Sequence, residues 1–77
     1  MGIYRKAIVL RTNPAHVAKL GAPAFDGLFR KNQTSDKEIV SYFSQKMADE
    51  GYKPEDYSIQ LFTGYICMAS GAFVEVA

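Results

Sequence analysis

Residues 35–51 read Ser-Asp-Lys-Glu-Ile-Val-Ser-Tyr-Phe-Ser-Gln-Lys-Met-Ala-Asp-Glu-Gly, and this stretch decides the fold class. Ser35 and Glu38 are spaced as a capping box, in which each side chain satisfies a free backbone N–H at the start of a helix. Asp36 adds a negative charge at the positive end of the helix dipole. Ile39, Val40, Phe43 and Met47 then recur at helical spacing, with Tyr42 on the flank of the stripe. Gly51 suits the left-handed position that ends a helix, letting Tyr52 fold back toward Met47. Pro54 prevents resumption. The spacing therefore predicts an amphipathic helix over 36–50, which needs an apolar surface to cover.

Both flanks supply strands for that surface. Upstream, Ile3 to Leu10 is rich in residues suited to a pleated sheet, and the apolar run Ala7 to Leu10 suggests a central strand. Downstream, Tyr57, Ile59 and Leu61 alternate with Ser58 and Gln60, the pattern of a half-buried strand. Thr63-Gly64 and Ser70-Gly71 are turn signals that set off Tyr65 to Ala69 and Ala72 to Val76, giving a three-stranded meander. One of these glycine pairs could equally be a bulge inside longer hairpin strands.

The segment between is less regular. Asn13 is a good N-cap and Pro14 fits the first helical position, so a helix of at most two turns runs to Gly21, with Val17 and Leu20 on one face. Pro23 forbids its smooth continuation. Residues 22–33 fit an irregular or short helical connection with Phe25, Leu28 and Phe29 facing inward. Asp26-Gly27 also has the form of a tight hairpin turn. The assembled expectation is one α+β domain over residues 1–77: a small antiparallel sheet of three to four strands, in the order β-α-α-β-β(-β). One main helix packs on one face of the sheet.

Composition limits the chemistry. At 77 residues, 48% of them hydrophobic, the chain folds around a thin core and is too apolar to be disordered. Its single cysteine, Cys67, excludes an internal disulfide, and with His16 as the one histidine a closed Cys/His zinc site is excluded as well. That leaves good packing or association as the source of stability. The apolar run after Arg5 and Lys6 is four residues long, too short for a signal-peptide core, and no stretch reaches the length of a membrane span. With the lone thiol, this points to a cytoplasmic protein.

No catalytic constellation emerges. His16 lies opposite the Val17 and Leu20 face and reads as a surface histidine without an orienting partner. Cys67 sits in Tyr65-Ile66-Cys67-Met68-Ala69, where a thiol behaves as a small hydrophobe. The acidic pairs Asp49-Glu50 and Glu55-Asp56 lack the loop pattern of a calcium site. The glycines form no phosphate-binding motif. Neither an enzyme nor a bound cofactor is expected.

Two binding readings follow. The first is a small non-catalytic module that works by protein–protein contact, its partner a host protein. Its size class is that of accessory and inhibitor proteins of phages and other mobile elements. The strand Ala72 to Val76 is the expected docking edge: Phe73 and Glu75 on one face, Val74 on the other, and Tyr65 or Phe73 as an aromatic anchor. The same edge could pair a partner's strand or a second copy, giving a homodimer. The second reading is nucleic-acid binding. Residues 1–33 carry six cations and one acid, residues 34–77 three cations and seven acids. Arg5, Lys6, Arg11, Lys19, Arg30 and Lys31 would have to converge on phosphates, with Tyr4 or Phe29 stacking on bases.

Overall fold

The computed structural model describes residues 2–76. Its elements run β1 (Tyr4–Arg11), α1 (Pro14–Leu20), β2 (Pro23–Arg30), α2 (Asp36–Asp49), a 3-10 turn (Pro54–Asp56), β3 (Tyr57–Ile66) and β4 (Phe73–Glu75). The four strands form one antiparallel sheet in the order β2-β1-β3-β4. The fold is therefore α+β with the chain order β-α-β-α-β-β, and β1 is an interior strand, as its apolar run indicated.

Helix α2 forms for the reasons visible in its sequence. The capping box is complete: the Glu38 N–H donates to Ser35 Oγ at 3.2 Å, and the Ser35 N–H donates to Glu38 Oε1 at 3.2 Å. At the other end Gly51 takes φ +88°, and the Tyr52 N–H reaches back to the Met47 carbonyl at 3.0 Å. Ile39, Phe43 and Met47 face Ala7 and Val9 of β1, and among the described residues these five are the fully buried hydrophobic side chains. Phe25, Phe29, Ile59 and Leu61 pack around them from both flanks. The radius of gyration is 13.7 Å, against about 11.5 Å for a compact chain of this length, so the sheet outruns its single covering helix.

The region around residues 22–33 departs from the expected connection. Pro23–Arg30 is an eight-residue strand paired along β1, with Ala7 opposite Gly27 and Arg5 opposite Phe29. Phe25 and Phe29 do reach the core, but by strand alternation rather than helical spacing. Asp26-Gly27 lies in mid-strand and makes no turn. The glycine is there for packing: a Cβ at Gly27 would stand 3.0 Å from the Phe43 and Phe29 rings. Composition misleads here because α1, capped by Asn13 and stopped by Gly21 at φ +85°, already makes the reversal.

Downstream, Thr63-Gly64 is likewise no turn. β3 runs unbroken through it, with Gly64 opposite Tyr4 on one side and Glu75 on the other. The reversal comes later, in the loop 67–72, where Gly71 takes φ +72° and its N–H bonds the Cys67 carbonyl at 2.7 Å.

Candidate binding surface

Strand alternation divides the sheet into two faces of different character. The face under α2 holds Arg5, Ala7, Val9 and Arg11 of β1, and its two arginines are engaged within the fold. Arg5 makes an ion pair with Asp36 at 2.8 Å, tying β1 to the start of α2, and also bonds the Thr63 hydroxyl. Arg11 donates to Tyr52 Oη at 2.9 Å and to the carbonyls of Gly21 and Pro23. Both charges are thereby turned inward, to the turns and helix that frame the core.

The opposite face has no element packed across it among the described residues. Tyr4, Lys6 and Ile8 of β1 lie there beside Leu28 of β2, Phe62 of β3 and Phe73 of β4. The β3–β4 hairpin and β2 border a cleft of about 290 Å³, lined by Lys6, Asp26, Leu28, Ile66 and Phe73. A shallower depression of about 200 Å³ continues past Phe73 to Ile8, Phe62 and Glu75. Lys6 holds its ammonium 5.6 Å from the Phe73 ring centre, and Arg30 sits 5.7 Å from that of Tyr4. Phe73 can lie flat here because Gly64 beneath it has no side chain.

The residues singled out from sequence fall in several places. Of the six cations, Lys6 and Arg30 reach the open face, while Arg5 and Arg11 lie on the other. Lys19 is exposed on the last turn of α1, at the far end of the sheet. Lys31 is exposed just beyond β2 and joins Arg30 around a depression with Gly2, Ile3 and Asn32. Of the four docking candidates, Phe73 and Glu75 face the open side, whereas Tyr65 and Val74 pair on the helix side. β4 is an edge strand, three residues long. The bonds from the Cys67 N–H to the Ala72 carbonyl and from the Val76 N–H to the Thr63 carbonyl set its parity. By alternation Val74 bonds inward to β3, and the backbone groups of Phe73 and Glu75 point to the free edge.

Ile8 and Phe62 were not singled out from sequence, and Leu28, expected to face inward with Phe25 and Phe29, instead lies exposed on the open face because strand alternation sends it opposite to them. For Ile8 the signal was present, since Tyr4, Lys6 and Ile8 alternate against Arg5, Ala7 and Val9. The apolar run over both faces concealed it.

The two chemically distinctive side chains stand apart. His16 lies edge-on to Tyr52, with ring centres 5.1 Å apart, and its Nδ1 is buried without a hydrogen-bond partner. It is a half-buried residue packed on Tyr52 just beyond α2 rather than a freely exposed one. Cys67 lies in the hairpin loop, where the Ser70 hydroxyl, followed by the Ser70 and Ala69 backbone N–H groups, holds its thiol below the ordinary value of 9.0. The loop thus gives the thiol polar company that its apolar sequence neighbours did not suggest. Among the described residues no group of three or more His, Cys, Asp or Glu side chains could hold a metal ion. No helix there is long and apolar enough to cross a membrane.

No family model, curated protein or solved structure matches this chain.

Proposed function

We propose that this chain is a non-catalytic binding module that engages a protein partner through the open face of its sheet. The observation that carries this reading is the composition of that face. Aromatic and aliphatic side chains share this face, Leu28 exposed and Tyr4, Ile8, Phe62 and Phe73 half-buried, among two cations, Lys6 and Arg30, and two acids, Asp26 and Glu75. A surface of mixed charge around apolar anchors suits another protein, whose interfaces combine an apolar centre with a polar rim. The cytoplasmic setting and a host-protein partner belong to the same proposal and rest on the lone thiol and the small size.

Nucleic-acid binding is the second reading. It draws on the Lys6–Phe73 and Arg30–Tyr4 pairs, since cations beside aromatic rings are what single strands use. Asp26 and Glu75 on the same face, and the inward engagement of Arg5 and Arg11, weigh against it.

One experiment separates the two. The tagged chain is used to capture partners from its host lysate with and without nuclease, alongside a Phe62→Glu variant checked for folding by circular dichroism. A protein retained after nuclease and lost with Phe62→Glu supports the first reading. Capture abolished by nuclease moves the second reading ahead, and full retention by a folded Phe62→Glu shows that the open face is not the surface used.

A further inference from the structure

The sheet has two free edges, and they differ in length. β4 offers three residues, β2 eight. The parity of the β2 edge follows from the Lys31 N–H bonding the Ile3 carbonyl at 2.9 Å, which turns Phe25, Gly27 and Phe29 inward to β1. The backbone groups of Asp26, Leu28 and Arg30 therefore point away from the sheet. The Arg30 carbonyl confirms the direction, because it accepts from the Gln33 and Thr34 N–H groups of the turn beyond the edge. The remaining outward groups of Asp26, Leu28 and Arg30 have no partner among the described backbone bonds outside helices and strands. Such an edge is a template for another strand unless something covers it.

Two features say what kind of strand. The first is apolar: Leu28 is 46% exposed on one side of the edge and Tyr42 52% exposed on the other, beside Phe29. The second is charge. Asp26 and Arg30 sit two residues before and two residues after Leu28, on the same face and both exposed. A two-fold axis through Leu28 sets each Asp26 directly opposite the other copy's Arg30.

We infer that β2 pairs with β2 of a second copy of this chain, in the antiparallel register that places Leu28 opposite its own counterpart. In that register the two Leu28 residues exchange both backbone bonds, and each Arg30 N–H donates to the other copy's Asp26 carbonyl. Two cross-strand ion pairs flank the axis on the open face. The two sheets join as one of eight strands, with an α2 helix from each copy on the same side and Tyr42 at the seam. An isologous contact of this kind closes after two copies, which removes the long edge from further pairing. Only three-residue β4 edges remain. The inference shares Leu28, Asp26 and Arg30 with the open face described above but does not rest on the function proposed for it, because the backbone of the β2 edge carries it.

The register supplies its own test, made by sedimentation equilibrium on the full chain at several concentrations. Wild type is expected to be dimeric. Asp26→Arg and Arg30→Asp each turn two attractive pairs into repulsive ones and are expected to weaken self-association at least tenfold. The double variant Asp26→Arg/Arg30→Asp restores both pairs and should dimerise as wild type does. An equimolar mixture of the two single variants should form heterodimers, since one chain then presents two cations at these positions and the other two acids. Both positions are exposed, so circular dichroism should show the variants folded. A wild type that stays monomeric at high concentration overturns the inference and leaves the edge to a different protein's strand. A dimer that tolerates both single reversals, or one that the double variant fails to restore, overturns the register.

Discussion

Replacing Gly64 with alanine tests the sheet at the point where it differs most from a turn-based meander. In the fold Gly64 lies inside β3 and is buried, with β4 against it. A Cβ there would fall onto the Val74 carbonyl oxygen, 2.9 Å from the Val74 carbonyl carbon and 2.7 Å from Phe73 Cζ. The obstacle is mostly backbone, which cannot rotate aside as a side chain can, so the strand must move. Overpacking of this kind costs about 1–3 kcal/mol. The cost has a ceiling, which is what β4 gains by docking. Its bonds to β3 are Cys67 N–H to Ala72 and Val76 N–H to Thr63, plus those of the Tyr65–Val74 pair. Four such bonds contribute about 4 kcal/mol and the half-buried Phe73 ring about 1–2 more. Ordering three strand residues takes back about 3–5 kcal/mol. The net is at most about 3 kcal/mol, no more than the cost of the overpacking, so Gly64→Ala should lift β4 off the sheet rather than unfold the domain. Amide hydrogen exchange followed by NMR reads this directly. The Val76 and Cys67 amides should lose most of their protection while those of Ala7 and Val9 keep theirs. If both hairpin amides stayed protected and urea stability changed by less than about 0.5 kcal/mol, the close approach of β4 to Gly64 would be wrong.

Phe43 is 2% exposed and meets the rings of Phe25, Phe29 and Tyr42, so Phe43→Ala should cost about 3–5 kcal/mol in urea unfolding, against roughly 4–12 kcal/mol for a whole domain of this size. The pair Ser35→Ala/Glu38→Ala, which removes only the cap, should cost about 1–2 kcal/mol, and a Phe43→Ala that melted like the wild type would remove the stripe from the core. Asp56 is held below its ordinary value of 3.8, first by the Asn13 side-chain amide and then by the Lys53 N–H. Because the folded carboxyl binds its proton less readily than the unfolded one, its stabilisation is present above pH 3.8 and lost as pH falls through the lower folded value. Asp56→Asn should accordingly flatten the acid limb of a melting-temperature profile, and an unchanged limb would show that the Asn13–Asp56 bond does not link α1 to the 3-10 turn in solution.

Helix α2 and its caps were legible because every signal that defines them is local. A capping box, a stripe at helical spacing and a left-handed glycine act within one or two turns of chain, and no distant residue is needed to satisfy them. The first turn of α1 and the interior position of β1 were legible for the same reason. The β2 strand was not, because its hydrogen bonds are made to β1, across a helix and two turns, and its alternation of Phe25, Gly27 and Phe29 against Asp26, Leu28 and Arg30 is broken by an Asp-Gly pair that looks like a hairpin. Gly64 resisted for the opposite reason: glycine usually marks a turn, and only the approach of Phe73 and the Val74 carbonyl shows that it marks a close contact. The charges needed tertiary structure most of all. Arg5 and Lys6 are neighbours in sequence, yet the pleat sends one inward to Asp36 and the other to the open face. Sequence alone determined that this chain makes one good helix over a small antiparallel sheet. Which edge stays long and bare, and which cations remain outside, depends on contacts between residues far apart in the chain.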